Sequence, residues 1–162
     1  MAVNPIPEGF NTVSVYLIVP NAVEAAEFYK KALGAKQGVH MTMPGSDATM
    51  HMELCVGNSI FMLSDENPQW GAKSPATLGG SPTSLHLYVE DTDAAFNRAV
   101  EAGCDVEAPL MDAFWGDRYG KVRDPYGHSW GFATHVEDVS PEDMERRAAE
   151  WMKSMAGDCE SV

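Results

Sequence analysis

The chain has 162 residues, of which 44% are hydrophobic and 22% charged, and its formal net charge is −13 at pH 7. That length is typical of one ordinary domain, and the composition is that of a soluble globular protein. The negative charge repels phosphate backbones and anionic lipid surfaces, and no run of about 18 apolar residues could span a bilayer. No basic and apolar leader opens the chain, so we expect a cytoplasmic protein with neither nucleic acid nor membrane as a partner.

An internal repeat organises the sequence. The segment SVYLIVPNAVEAAEFYKKALGA (14–35) aligns with SLHLYVEDTDAAFNRAVEAGCD (84–105) at an offset of 70 residues. The same offset carries GNSI (57–60) onto GHSW (127–130), so the two halves agree at their beginnings and their ends. A repeat of this kind predicts two copies of one supersecondary unit.

Each copy begins with an alternating strand followed by a helix. In the first copy Val15, Leu17 and Val19 share one face, which the helix from Asn21 to Gly34 must cover. Ser14, Tyr16 and Ile18, and in the second copy Ser84, His86 and Tyr88, then lie on the opposite, concave face. The remaining strands are predicted over residues 38–43, 49–56, 59–64, 106–111, 118–124 and 128–134.

The pattern therefore predicts an α+β fold of two βαβββ modules, each forming a curved and mostly antiparallel sheet. The modules occupy about 10–66 and 82–138 of a single domain over 1–138, and 139–162 form a C-terminal helix and tail. Ser140 and Pro141 begin that helix, because serine caps helices and proline suits their first position. Its apolar stripe, which includes Trp151 and Met152, is interpreted as a docking face, with a ligand-covering role as the alternative.

The segment WGDRYGKVRDPYGHSW (115–130) contains a type I turn at Asp124-Pro125-Tyr126-Gly127. That turn joins the last two strands, and Trp130 and Phe132 are predicted to lie in the core beneath the second helix. Trp115, Asp117 and Arg118 precede the turn and are not explained by it. These three residues are therefore candidates for lining a site.

The paired modules, with FYKKALGA (28–35) after the first strand and 115–130 near the end, resemble the vicinal oxygen chelate superfamily, the glyoxalase/bleomycin resistance protein/dioxygenase group. PhnB-like members are the most similar. The resemblance implies the fold, and it leaves the function open among isomerases, dioxygenases, thiol transferases and metal-free binding proteins.

The resemblance also implies a divalent metal between the modules, held by His or Gln on each first strand and Glu on each last strand. The corresponding positions in this sequence are Ser14, Phe61, Ser84 and Gly131. Hydroxyl, phenyl and glycine groups are not the ligands that such metals prefer, so we expect no metal and no other cofactor.

The first functional hypothesis is a metal-free binding protein that holds a small organic molecule in the crease between the modules. Its predicted ligand-binding residues are Tyr16, Phe61, His86, Tyr88, Trp115, Arg118 and His135. Arg118 would bind an anionic group through two hydrogen bonds from its planar guanidinium. In the alternative, Arg118 pairs with Asp117 or Asp124 and braces the hairpin.

Two other hypotheses remain. An enzyme would be a glyoxalase-like lyase/isomerase or a dioxygenase with unusual metal ligands drawn from His86, Glu53 and His135, or a metal-free acid/base catalyst in which His86 is the candidate. In the third hypothesis the pocket is vestigial and the domain serves assembly. A homodimer is expected in each case, because strand edges and the apolar terminal helix need cover, and the modules pair within one chain or exchange between two.

Overall fold

The computed structural model describes the backbone of residues 3–158 and the side chains of residues 3–155. The end of the predicted C-terminal tail lies outside this range. Among the described residues, no helix combines the length and the apolar character needed to cross a membrane.

The first module is a βαβββ unit. Its elements are β1 (Tyr16–Val19), α1 (Ala22–Leu33), β2 (Lys36–Thr42), β3 (Thr49–Val56) and β4 (Ser59–Asp65). The sheet has the strand order β1-β4-β3-β2, in which β1 runs parallel to β4 and the other neighbours are antiparallel. Asn21 caps α1 through the backbone N–H groups of Val23 and Glu24, and Gly34 ends it in the left-handed region.

A linker that the sequence patterns did not predict as structured follows the first module and contains a 3-10 turn and a short helix. The elements from the linker onward are the 3-10 turn (Pro68–Trp70), α2 (Pro75–Leu78), β5 (Ser84–Tyr88), α3 (Thr92–Ala102), β6 (Asp105–Asp112), β7 (Asp117–Arg123), β8 (Ser129–His135) and α4 (Pro141–Asp158). The second module repeats the topology of the first, with the strand order β5-β8-β7-β6. The predicted α+β fold of two βαβββ modules with a C-terminal helix is therefore confirmed.

The core lies between the sheets and the paired helices α1 and α3. Leu17 and Val19 of β1 face it, as the alternation predicted, and Trp130 and Phe132 of β8 are also buried there. The opposite faces of both sheets stay accessible and carry Tyr16, His86 and Tyr88.

A buried carboxylate joins the two modules. Asp124 Oδ2 accepts hydrogen bonds from the Tyr29 hydroxyl of α1 at 2.7 Å and from Trp130 Nε1 at 2.8 Å. Asp124 Oδ1 accepts the backbone N–H groups of Tyr126 and His128, both at 2.9 Å. Burial, followed by the neighbouring Asp124 charge, raises the pKa of Tyr29 well above its usual value, so the phenol remains a donor.

The repeat is not in register over its whole length, which corrects the predicted equivalence of 57–60 with 127–130. Tyr16 pairs with Met62, whereas its counterpart His86 pairs with Gly131. The residue equivalent to Gly131 is therefore Met62, and the offset in the last strand is 69 residues and not 70. The offset changes at the helices, because α1 has 12 residues and α3 has 11, and it is already 69 at the C-caps Gly34 and Gly103.

This difference of one residue places Phe61 on the buried face of the sheet and not on the concave face where it was predicted. Because strand side chains alternate, a shift of one residue moves a side chain from one face of the sheet to the other. Phe61 is only 7% exposed and packs edge-on against Tyr29 and Trp130, with ring centroids 5.7 Å away in both cases. Its expected place on the concave face was wrong.

Removing the Asp124 carboxylate should strongly destabilise the protein. In Asp124→Ala the buried Tyr29 hydroxyl and Trp130 N–H lose their acceptor, so we expect unfolding to become easier by about 3–5 kcal/mol. Tyr29→Phe, which removes one donor and leaves the carboxylate, should cost about 1–2 kcal/mol. Urea unfolding followed by tryptophan fluorescence measures both, and a loss below that of Tyr29→Phe in Asp124→Ala would contradict this role.

Candidate functional site

A cleft lies along the seam between the two modules. This seam cleft has a volume of about 890 Å³. The whole of β5 lines it, together with residues 13–15 and 56–60. Ala94, Ala95 and Arg98 of α3 also line it, with Leu33, Phe61 and Trp130 from the core.

The two hairpin tips differ in length, and the cleft lies beside the shorter one. At the pseudo-equivalent place in the other module, the long tip from Asp124 to His128 packs on β1 and α1. There Tyr126 meets Phe28 edge-on, and His128 Nε2 lies 3.1 Å from the Ile18 carbonyl oxygen. The short Gly57-Asn58 tip makes no such contact with β5 among the described residues, so the space beside β5 stays open.

A second group of polar and aromatic side chains surrounds Asp117 on the concave face of the second sheet. We call Asp117, Tyr88, Trp115 and His135 the Asp117 cluster. The Tyr88 hydroxyl and Trp115 Nε1 donate to Asp117 Oδ2 at 3.1 and 2.9 Å, and His135 Nδ1 lies 2.8 Å from Oδ1. Asp117 is only 2% exposed, so this carboxylate fixes the positions of three predicted site residues.

The charges of the Asp117 cluster stabilise one another. Burial alone would raise the pKa of Asp117, but the hydrogen bonds from His135, Trp115 and Tyr88 outweigh it and lower the pKa. The hydrogen bonds to Asp117 and Asp138 raise the pKa of His135. His135 thus bridges the sheet to the segment that precedes α4.

His86 lies between the seam cleft and the Asp117 cluster. Its ring stacks on Tyr119 at 5.8 Å with an interplanar angle of 11°, and it is 5.0 Å from the ring of Tyr88. Gly131 makes room for this stack, because a Cβ there would lie 3.2 Å from His86 Nδ1 and 3.1 Å from Tyr119 Cε2. Among the described residues the imidazole of His86 has no hydrogen-bond partner.

The metal site that the family resemblance implies does not fit these residues. The four positions, corrected for register, hold Ser14, Met62, Ser84 and Gly131, and the space beside Gly131 is occupied by His86 and Tyr119. Across residues 3–155, no three His, Cys, Asp or Glu side chains come close enough together to hold a metal ion.

The alternative ligand set of His86, Glu53 and His135 is not assembled either. Glu53 Oε1 lies 3.2 Å from His51 Nε2 on the first sheet, and His135 is paired with Asp117 and Asp138. Tyr16 lies beside His51, with its hydroxyl 3.3 Å from Nδ1, and so belongs to the first sheet's concave face and does not line the seam cleft.

Arg118 faces the helix side of its sheet and does not line the cleft. Its guanidinium forms a bidentate ion pair with the Asp93 carboxylate of α3, in which Nε and Nη2 donate at 2.9 and 2.8 Å. Nη1 donates a third hydrogen bond to Asp112 Oδ1 at 3.2 Å. Its guanidinium N–H groups are therefore already paired with carboxylates and do not point into the cleft, so we do not include Arg118 in the proposed site. The bracing alternative describes it better, although its partners are Asp93 and Asp112 and not Asp117 or Asp124.

Two site residues were missed by the sequence reasoning. Tyr119 alternates with Asp117 along β7, so the strand pattern could have placed it on the concave face. Arg98 could not be found in this way, because its position depends on how α3 packs against α1, where Arg98 Nε donates to the Ala32 carbonyl oxygen at 3.1 Å.

The sequence matches the family model of the Glyoxalase/Bleomycin resistance protein/Dioxygenase superfamily over residues 9–132. This chain belongs to that superfamily. It is 40% identical over 149 residues to the uncharacterized protein Rv0887c of Mycobacterium tuberculosis, covering 90% of this chain and 84% of that protein. It is 31% identical over 129 residues to the uncharacterized protein At5g48480 of Arabidopsis thaliana, covering 75% and 76% of the two chains.

Solved structures of the superfamily share the arrangement of both modules. The At5g48480 product superposes with a TM-score of 0.60 at 30% identity, covering 76% of this chain and 98% of that chain. TioX from Micromonospora has a TM-score of 0.60 at 26% identity, covering 78% and 99%. A PhnB protein from Bacillus cereus, at 19% identity and a TM-score of 0.59 with coverage of 76% and 99%, shares the fold.

The raised pKa of His135 predicts a pH-dependent stability. A group whose pKa is higher in the folded state stabilises the fold below its unfolded pKa of about 6.5, and that contribution disappears as the pH rises through the folded value. His135→Gln should therefore lower the melting temperature more at pH 5.5 than at pH 9. Asp117→Asn serves as the matched control, since it should reduce this pH dependence. Equal losses at both pH values would show that the ion pair contributes nothing.

Proposed function

We propose that this chain binds a small organic molecule in the seam cleft and that it does so without a metal. The observation that carries the proposal is the cleft itself, whose volume of about 890 Å³ lies in the range of ordinary ligand sites, about 300–1,000 Å³. Aliphatic and aromatic side chains supply about half of its lining residues, and polar side chains such as Asn58, Ser84 and Arg98 supply most of the rest, so the cleft offers both apolar contact and hydrogen-bonding groups.

Five of the seven predicted ligand-binding residues lie in the cleft or in the adjoining Asp117 cluster, whereas Tyr16 lies on the first sheet and Arg118 on the helix side of the second. Phe61, His86 and Tyr88 line the cleft, with Phe61 at its inner wall. Trp115 and His135 approach it only through the Asp117 cluster, which holds the Tyr88 hydroxyl. We assign direct contact to Phe61, His86 and Tyr88, and a positioning role to Asp117.

The chemistry of the cleft favours an uncharged or weakly anionic molecule with a largely apolar body. Arg98 replaces Arg118 as the cation that could meet an anionic group, because no carboxylate among the described residues pairs with its guanidinium. A metal-dependent lyase, isomerase or dioxygenase would need ligands that Ser14, Met62, Ser84 and Gly131 do not offer.

Filling the cleft should block binding. Ala94→Trp places an indole from α3 into the cleft, whereas Asn97→Trp adds the same ring to an exposed position of α3 that does not line it. With the neutral dye Nile red as probe, we expect at least a tenfold loss of affinity in Ala94→Trp and little change in Asn97→Trp. Equal affinity in both variants, or no dye binding to the unaltered protein, would overturn the proposal.

The metal-free part of the proposal has its own measurement. Native mass spectrometry of protein purified from its source should find no stoichiometric metal, and chelation should leave the Nile red affinity unchanged. Zinc, iron, nickel or manganese bound at one equivalent and restored after chelation would contradict it.

We also propose that the chain forms a homodimer through α4. Trp151 contacts Phe114 of the domain at 5.8 Å between ring centroids, but Trp151 and Met152 remain 42% and 66% exposed. Burying this apolar stripe would favour association. Light scattering at micromolar concentration should report a dimer and Met152→Glu should shift it toward the monomer, whereas a monomeric unaltered protein would contradict the proposal.

A further inference from the structure

The seam cleft runs along a strand edge that has free backbone groups. Consecutive residues of β5, from both faces of the strand, line the cleft, which is possible only where the cavity follows the edge itself. Val89 N–H donates to the Ala133 carbonyl oxygen, so Val89 and, by alternation, Leu87 and Leu85 point their backbone groups at β8. The backbone groups of Ser84, His86 and Tyr88 therefore point into the cleft.

These outward groups have no partner among the described residues. In the first module the equivalent edge is partly covered, because the Ile18 carbonyl oxygen is met by His128 Nε2 at 3.1 Å. Tyr88 is the counterpart of Ile18 in the repeat, and no side chain among the described residues reaches its carbonyl oxygen. An uncovered strand edge is a template for pairing with another extended chain.

We propose that the ligand of the seam cleft is a short peptide that binds in extended conformation as an added strand beside β5. This inference rests on the proposed function and names its ligand class. β5 has five residues, which gives an edge about 17 Å long at about 3.4 Å per residue. Main-chain hydrogen bonds would supply the affinity, and the cleft walls would select the side chains.

The walls favour one single chain over the edge of another folded sheet. Residues 13–15 and 56–60 line the same cleft as β5, so a single extended chain needs less of this space than a strand with a sheet behind it. One row of peptide side chains would contact Leu85 and Leu87, and the alternate row would lie near His86 and Tyr88. Because the His86 imidazole has no hydrogen-bond partner among the described residues, serine hydroxyls suit the alternate row, and such a peptide is uncharged, as the proposed function requires.

The experiment uses an acetylated and amidated pentapeptide of alternating valine and serine, with binding measured by calorimetry. His86→Pro removes one outward N–H and leaves the ladder to β8 intact, whereas His86→Ala removes the same side chain and keeps the N–H. We expect the proline variant to bind the peptide at least about fivefold more weakly than the alanine variant, as for one lost hydrogen bond. Equal affinities in the two variants would overturn the inference.

A second variant covers the case in which His86→Pro does not fold. Replacing the Gly57-Asn58 turn by the sequence of residues 124–128 should bring a longer tip onto β5 and abolish peptide binding; retained affinity would count against edge pairing. If the unaltered protein binds Nile red but not the peptide, the inference fails and the proposed function stands. If it binds neither, the proposed function fails as well.

Discussion

The position of the two modules relative to each other depends on the Asp124 carboxylate. It lies at the base of the β7–β8 turn, and it receives two backbone N–H groups from its own turn and two side-chain donors, one of them Tyr29 from the other module. Both oxygens are therefore satisfied within a buried environment, where an unpaired charge would be costly. This one side chain fixes the turn, the core tryptophan and the first helix together.

The two modules are related by pseudo-symmetry, but their hairpin turns differ in length, and this difference affects the spaces beside β1 and β5. The tip from Asp124 to His128 fills the space beside β1, while the two-residue turn of the first module leaves the corresponding space beside β5 open. Of the two strand edges at the seam, that of β1 is thus partly covered and that of β5 has no partner among the described residues, although both derive from the same repeat. We infer that the difference in turn length creates the ligand site.

The repeat and the strand alternation were enough to predict the fold and the faces of β1 and β5. Helix caps such as Asn21 and Gly34 are local chemistry, so the sequence indicates them directly. The place of Phe61 was mispredicted because the sequence comparison kept an offset of 70 residues in the last strand, where the strand pairing gives 69. One residue of slip reverses the face of a strand, and no composition signal marks the slip.

Side chains whose partners lie far away in the sequence were harder to predict. From the sequence alone, Arg118 is a cation next to Asp117 with no evident partner. In the structure it pairs with Asp93, 25 residues earlier, because α3 packs across β7. Asp117 itself gains its role only when β5, β7 and β8 bring Tyr88, Trp115 and His135 around it. Such sites arise from tertiary packing, which a single sequence does not specify position by position.

The most direct test of the seam cleft as the ligand site is a residue-by-residue map of amide chemical shifts by NMR during titration with Nile red. Our account predicts that the changes concentrate in β5, in residues 56–60 and around Ala94, while the edge near Ile18 and the 124–128 turn stay unchanged. Changes centred on α4, on the first sheet around Tyr16, or equally on both strand edges would contradict it.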